Sequence, residues 1–128
     1  MRRPIKGFRE STMRFVLFVI LLLTSVPVWA HAYLVKSAPA RRAVLHLPPA
    51  KIQLWFNESL EPRYSSIALT DAEGKAIEVG AAAVSSTDPR QLSAVLKPLP
   101  AGRYVVKYRV LSIDGHIVQD QIPFTVTK

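Results

Sequence analysis

Leu99-Pro100-Ala101-Gly102-Arg103-Tyr104-Val105-Val106-Lys107-Tyr108-Arg109-Val110-Leu111 decides the fold of this 128-residue chain. From Arg103 onward the residues alternate. Tyr104, Val106, Tyr108 and Val110 fall on one face, and Val105, Lys107, Arg109 and Leu111 on the other. A period of two marks a strand, because successive side chains of extended backbone point to opposite sides. Working outward, the same alternation recurs. Ile52, Leu54 and Phe56 alternate with Lys51, Gln53 and Trp55; Leu92, Ala94 and Leu96 alternate within Gln91–Leu96; Ile122, Phe124 and Val126 face one way near the end. Ser66–Thr70 and Ala76–Val79 flank Asp71-Ala72-Glu73-Gly74-Lys75, a loop holding the glycine a hairpin needs at positive φ. Turn residues at Pro48-Pro49, Glu61-Pro62, Asp88-Pro89 and Lys97-Pro98 separate the runs. No segment after residue 30 shows a 3.6-residue period. About seven short strands so spaced predict an all-β fold, a small Greek-key β-sandwich or barrel of immunoglobulin-like plan. Tyr104 reads either as a tyrosine corner, its hydroxyl bonding back to upstream backbone, or as a plain core aromatic.

Residues 1–30 read as a secretory signal peptide. Arg2, Arg3, Lys6, Arg9 and Arg14 make a basic start, and Phe15–Leu23 is an unbroken apolar run. The apolar stretch reaches Val28 but is interrupted by Thr24, Ser25 and Pro27, short of the roughly 20 residues a spanning helix needs. Val28-Trp29-Ala30 offers small or medium residues where signal peptidase reads, so cleavage is expected after Ala30. His31–Lys128 is then one domain, long enough for a single core.

The formal charge of +8 falls to +4 for His31–Lys128, which has 12 basic and 8 acidic residues. Arg41-Arg42 is its only adjacent basic pair, so the sequence offers no stripe for nucleic acid. There is no cysteine, which excludes disulfides and thiolate chemistry, and the two methionines, Met1 and Met13, both precede residue 30. A metal bound after cleavage must be held by nitrogen and oxygen.

Cleavage would make His31 the first residue, with a free α-amine beside its imidazole: two nitrogen donors spaced to chelate one ion. Ser112-Ile113-Asp114-Gly115-His116 supplies a second cluster. In extended backbone Asp114 and His116 would project to the same side, Gly115 leaving room between them. Three nitrogens and one oxygen in a tetragonal set suit a single Cu(II) ion better than zinc, which prefers a tetrahedron. Glu58, at the end of a strand, reads as a weak ligand, as an acceptor for the outer N–H of a metal-bound imidazole, or as a solvated loop acid. His46, in a proline-bounded segment without a nearby acid, reads as a bystander.

The chain resembles the CopC family of periplasmic copper-binding proteins of copper-resistance and copper-uptake systems. The resemblance rests on His31-Ala32-Tyr33-Leu34 after the signal peptide, Ser37-Ala38-Pro39-Ala40, and Ile52-Gln53-Leu54-Trp55-Phe56-Asn57-Glu58. It continues through Pro98–Val110 and Ser112-Ile113-Asp114-Gly115-His116. It implies a Greek-key β-domain, a periplasmic location, a Cu(II) site with His31, Asp114 and His116 as ligands, and an acid near the metal at Glu58. It also implies partnership with a CopD-like inner-membrane protein, expected as a separate chain. Some members carry a methionine-rich loop for Cu(I); without methionine here, no such site is expected. The expected role is non-enzymatic capture and delivery of Cu(II) for resistance or homeostasis. Two other readings compete: a histidine-brace copper enzyme that activates oxygen, and a metal-free adhesive β-sandwich. About 98 residues leave little room for a polysaccharide-binding face, and Asp114 would fill a position that oxygen chemistry needs open. The adhesive reading leaves the joint presence of His31, Asp114 and His116 unexplained.

Overall fold

The computed structural model describes residues 13–16 and 31–128. Contacts divide the chain into two units at Ala30 and His31, and only the second, His31–Lys128, is described further. Apart from a helical turn at Met13–Val16, the segment expected to direct export, with its cleavage point, lies outside the described residues. Among the described residues no helix is long and apolar enough to cross a membrane.

The second unit is a β-sandwich. Its strands are β1 (Leu34–Ala38), β2 (Ala43–Leu45), β3 (Lys51–Phe56), β4 (Ser66–Asp71), β5 (Ala76–Ile77), β6 (Ala83–Val84), β7 (Gln91–Val95), β8 (Gly102–Leu111) and β9 (Ile117–Val126). A four-stranded sheet has the order β1-β3-β7-β6, and a five-stranded sheet the order β2-β9-β8-β4-β5. Neighbours distant in sequence, β3 with β7 and β4 with β8, pair antiparallel, as Greek-key connections require. β2 pairs parallel with the end of β9. Nine strands thus stand where about seven were expected: β5 lies within the expected Ala76–Val79 strand, while β1, β2 and β6 show no alternation of their own.

The alternation read from the sequence is the core. Ile52, Leu54, Phe56, Leu92 and Ala94 of one sheet meet Tyr104, Val106, Tyr108, Val110, Ile122, Phe124 and Val126 of the other, all buried. Phe56 meets Tyr108 edge-on at 5.6 Å, and Tyr104 stacks on Phe124 at 5.5 Å. Tyr104 is a tyrosine corner: its hydroxyl donates to the Pro100 carbonyl, and burial raises its pKa, with Asp71 adding to the shift.

Three connections bring the regions of interest to one end of the sandwich. β1 starts opposite the end of β3, Leu34 beside Phe56, so the arm His31–Tyr33 runs alongside Asn57. The loop after β3 is stitched to the end of β8: Ile113 N–H donates to the Ser59 carbonyl at 3.0 Å, and Glu61 N–H to Leu111 at 2.8 Å. Phe56 packing on Tyr108 holds the same two strands from below.

Candidate metal centre

The Asp114-Gly115-His116 segment is a turn and not the extended run expected from spacing. Ser112 N–H donates to the His116 carbonyl at 2.9 Å, and Gly115 N–H to Ser112 at 3.0 Å, closing the β8–β9 hairpin. Gly115 has φ +86, a left-handed conformation that glycine adopts at little cost and that breaks the alternation. Asp114 is exposed in this turn, and His116 is half-buried at its exit.

His116 and Glu58 meet. Nδ1 of His116 lies 3.2 Å from Oε2 of Glu58, whose side chain is only 13% exposed. Ser112 stands beneath them, 1% exposed. Its Oγ accepts the His116 backbone N–H at 3.1 Å, and its hydroxyl favours the ionised form of the Glu58 carboxyl. These contacts hold the Glu58 carboxyl below its ordinary range, the Ser112 bond contributing most and His116 next. An ionised carboxylate only accepts, so Nδ1 of His116 carries the proton and donates it. In the neutral imidazole Nε2 then keeps the lone pair, the arrangement that suits a metal-binding ring.

His31 is exposed, yet the backbone beside it is tied down. Asn57 Oδ1 accepts the Tyr33 N–H at 2.6 Å, and Nδ2 donates to the His31 carbonyl at 3.2 Å. Asn57 N–H also donates to the Tyr33 carbonyl at 3.1 Å. Adjacent residues therefore serve two distant segments, Asn57 the N-terminal arm and Glu58 the β8–β9 turn. The side chains of His31 and Asp114 join no cluster with the His116–Glu58 pair: among the described residues, no three of His, Asp and Glu gather closely enough to hold an ion.

His46 lies apart. Its Nδ1 is 2.9 Å from Thr127 Oγ1, beyond the far end of β9, whereas His116 precedes the start of that strand. Ten extended residues separate the two ends by about 33 Å.

Sequence reasoning gave no role to Asn57 or Ser112. The position of Asn57 just before Glu58 at a strand end was visible, but its partners lie 24 and 26 residues away. Ser112, four residues before His116, could have been read as a turn residue bonding local backbone.

Comparison with known proteins places these residues in context. Residues 34–127 match the family model described as CopC domain, a span that includes Asn57, Glu58, Ser112, Asp114 and His116. The chain is 37% identical over 123 residues to copper resistance protein C of Xanthomonas campestris pv. juglandis, covering 91% of this chain and 96% of that protein. It is 30% identical over 118 residues to the copper transport protein CutJ of Bacillus subtilis, covering 90% of this chain but only 22% of that longer protein. The crystal structure of CopC from Methylosinus trichosporium OB3b superposes with a TM-score of 0.71 at 40% identity, covering 75% of this chain and 93% of the other. The two-sheet sandwich, the span of the family match and these identities together establish that the chain belongs to the CopC family.

Proposed function

We propose that this protein, exported and trimmed after Ala30, binds one Cu(II) ion in the periplasm and sequesters it or hands it on. The donors are the His31 α-amine and imidazole, the His116 imidazole and an Asp114 oxygen, with Glu58 fixing the His116 ring. Copper is the cargo, and the role is that of a carrier and not of an enzyme. The observation that supports this reading is the Asn57-Glu58 pair, which fastens the N-terminal arm and the His116 ring at one end of the sandwich. The absence of sulfur after residue 30 favours Cu(II) over Cu(I). The match to part of a copper transport protein supports delivery; the recipient in this reading is a CopD-like inner-membrane protein.

The test is competitive Cu(II) titration and electron paramagnetic resonance on the form beginning at His31. The expected result is one ion per chain with three coordinated nitrogens, weakening as pH falls because protons compete with the metal for nitrogen donors. A residue placed before His31 converts the amine to an amide and should weaken binding markedly. Failure to bind one Cu(II) at micromolar protein, or indifference to the added residue, would reject the site.

A further inference from the structure

Charges that look scattered in the sequence converge on the outer face of the five-stranded sheet. Arg103, Lys107 and Arg109 point outward from β8. Their cross-strand partners on β9 are neutral, Thr125, Gln121 and Gln119, and β4 places Ala68 and Ser66 opposite Lys107 and Arg109. Two adjoining concavities, of about 650 and 360 Å³, lie along this face. Val105 and Pro123 line both, which makes them one furrow with a half-buried apolar floor. Arg41 and Lys107 border one half, Arg42 and Arg103 the other. Among the described residues the single acid lining it, Asp120, is already held by Arg41 at 3.1 Å. Among the described residues Arg42, Arg103 and Lys107 take part in no salt bridge. Arg42 also keeps a left-handed backbone, φ 62, with its N–H on the Pro123 carbonyl at 2.6 Å. That conformation is costly for a residue with a Cβ, and here it belongs to a cation at the furrow.

We propose that the furrow docks an extended acidic segment of a partner protein. Along β8, Arg103 and Lys107 stand about 13 Å apart and Lys107 and Arg109 about 7 Å apart, multiples of the two-residue repeat of an extended chain. Carboxylates on one face of such a segment match that spacing, and the Gln119 and Gln121 amides offer hydrogen bonds to its backbone. The large side chains lining the furrow, Tyr104, Tyr108 and Phe124, are buried and offer nothing for insertion into lipid, which favours a peptide over an anionic bilayer. The surface is separate from the candidate metal centre and does not depend on the copper reading.

The test uses a fluorescein-labelled peptide of alternating Glu and Thr as probe, followed by anisotropy at low salt and at about 0.15 M. Arg103→Gln combined with Lys107→Gln is compared with Lys51→Gln combined with Lys97→Gln, which removes equal charge elsewhere. The expected result is salt-sensitive binding that falls at least about five-fold in the furrow variant and is retained in the other. Equal losses in both variants, no binding at low salt, or tighter binding of anionic vesicles or a single-stranded oligonucleotide would overturn the proposal.

Discussion

Asn57→Ala tests whether the N-terminal arm is ordered in advance for the ion. The substitution deletes the acceptor that holds Tyr33 N–H at 2.6 Å and the donor on the His31 carbonyl at 3.2 Å. The backbone bond from Asn57 N–H to the Tyr33 carbonyl survives. Both lost bonds are solvent-exposed, so each contributes about 0.5–1 kcal/mol net. Together that is about 1–2 kcal/mol, or roughly 5- to 30-fold in affinity, if the freed arm must be re-ordered each time an ion binds. The assay is competition against a chromophoric chelator with the form beginning at His31, paired with electron paramagnetic resonance at saturation. Affinity should fall within that range while the nitrogen count stays the same, because no donor atom has been removed. An affinity equal to that of the unsubstituted protein would refute the claim that Asn57 pre-orders the arm. Failure of the unsubstituted protein to bind Cu(II) would instead strike at the donor set itself.

Ser112→Ala removes a buried hydroxyl that serves both the His116 backbone and the Glu58 carboxylate. It should cost about 1–2 kcal/mol in denaturant unfolding and let the Glu58 pKa, followed by NMR, rise toward its ordinary value. Glu58→Gln tests the sign of the pH dependence without copper. Because the folded carboxyl titrates below its ordinary 4.5, its contribution to stability is present above that value and lost as pH falls through the lower folded one. Unfolding curves taken from neutral pH downward should therefore decline more steeply below about 4.5 for the native chain than for the variant. Tyr104→Phe removes the bond to Pro100 but keeps the ring on Phe124, so stability should drop by about 1 kcal/mol while copper affinity is unchanged. A parallel loss of copper affinity would mean that the corner and the candidate centre are coupled.

The long strands were legible because they obey one rule throughout. β3, β7, β8 and β9 each present at least two consecutive alternating apolar positions, and burial selects that face in every case. β1 escaped because its register shifts between Leu34 and Lys36, which breaks the alternation, and β2 and β6 are defined by their partners more than by their own residues. The candidate centre was legible as chemistry and less so as shape. Spacing identified Asp114 and His116, but a glycine at φ +86 makes a turn of what was read as a strand. Asn57 and Ser112 were missed because uncharged polar residues gain a role only from neighbours the chain brings to them. The basic face was missed likewise: Arg103, Lys107 and Arg109 become one row only when cross-strand register shows that the residue opposite each of them is neutral.

The core and the candidate centre are joined through β3. Ile52, Leu54 and Phe56 are 0%, 0% and 3% exposed, so a slip of one residue would turn all three to solvent and is forbidden by their burial. That fixes where β3 ends, and therefore where Asn57 and Glu58 begin. Since each binds a segment remote in sequence, the register of a buried strand determines how the arm and the His116 ring are held. The exposed parts, Asp114 in its turn and the His31 side chain on its arm, are those not fixed in this way. The proposed carrier role is served by that division: the fold holds the His116 ring against Glu58, while the side chains of the proposed donors His31 and Asp114 stay exposed at the same end of the sandwich.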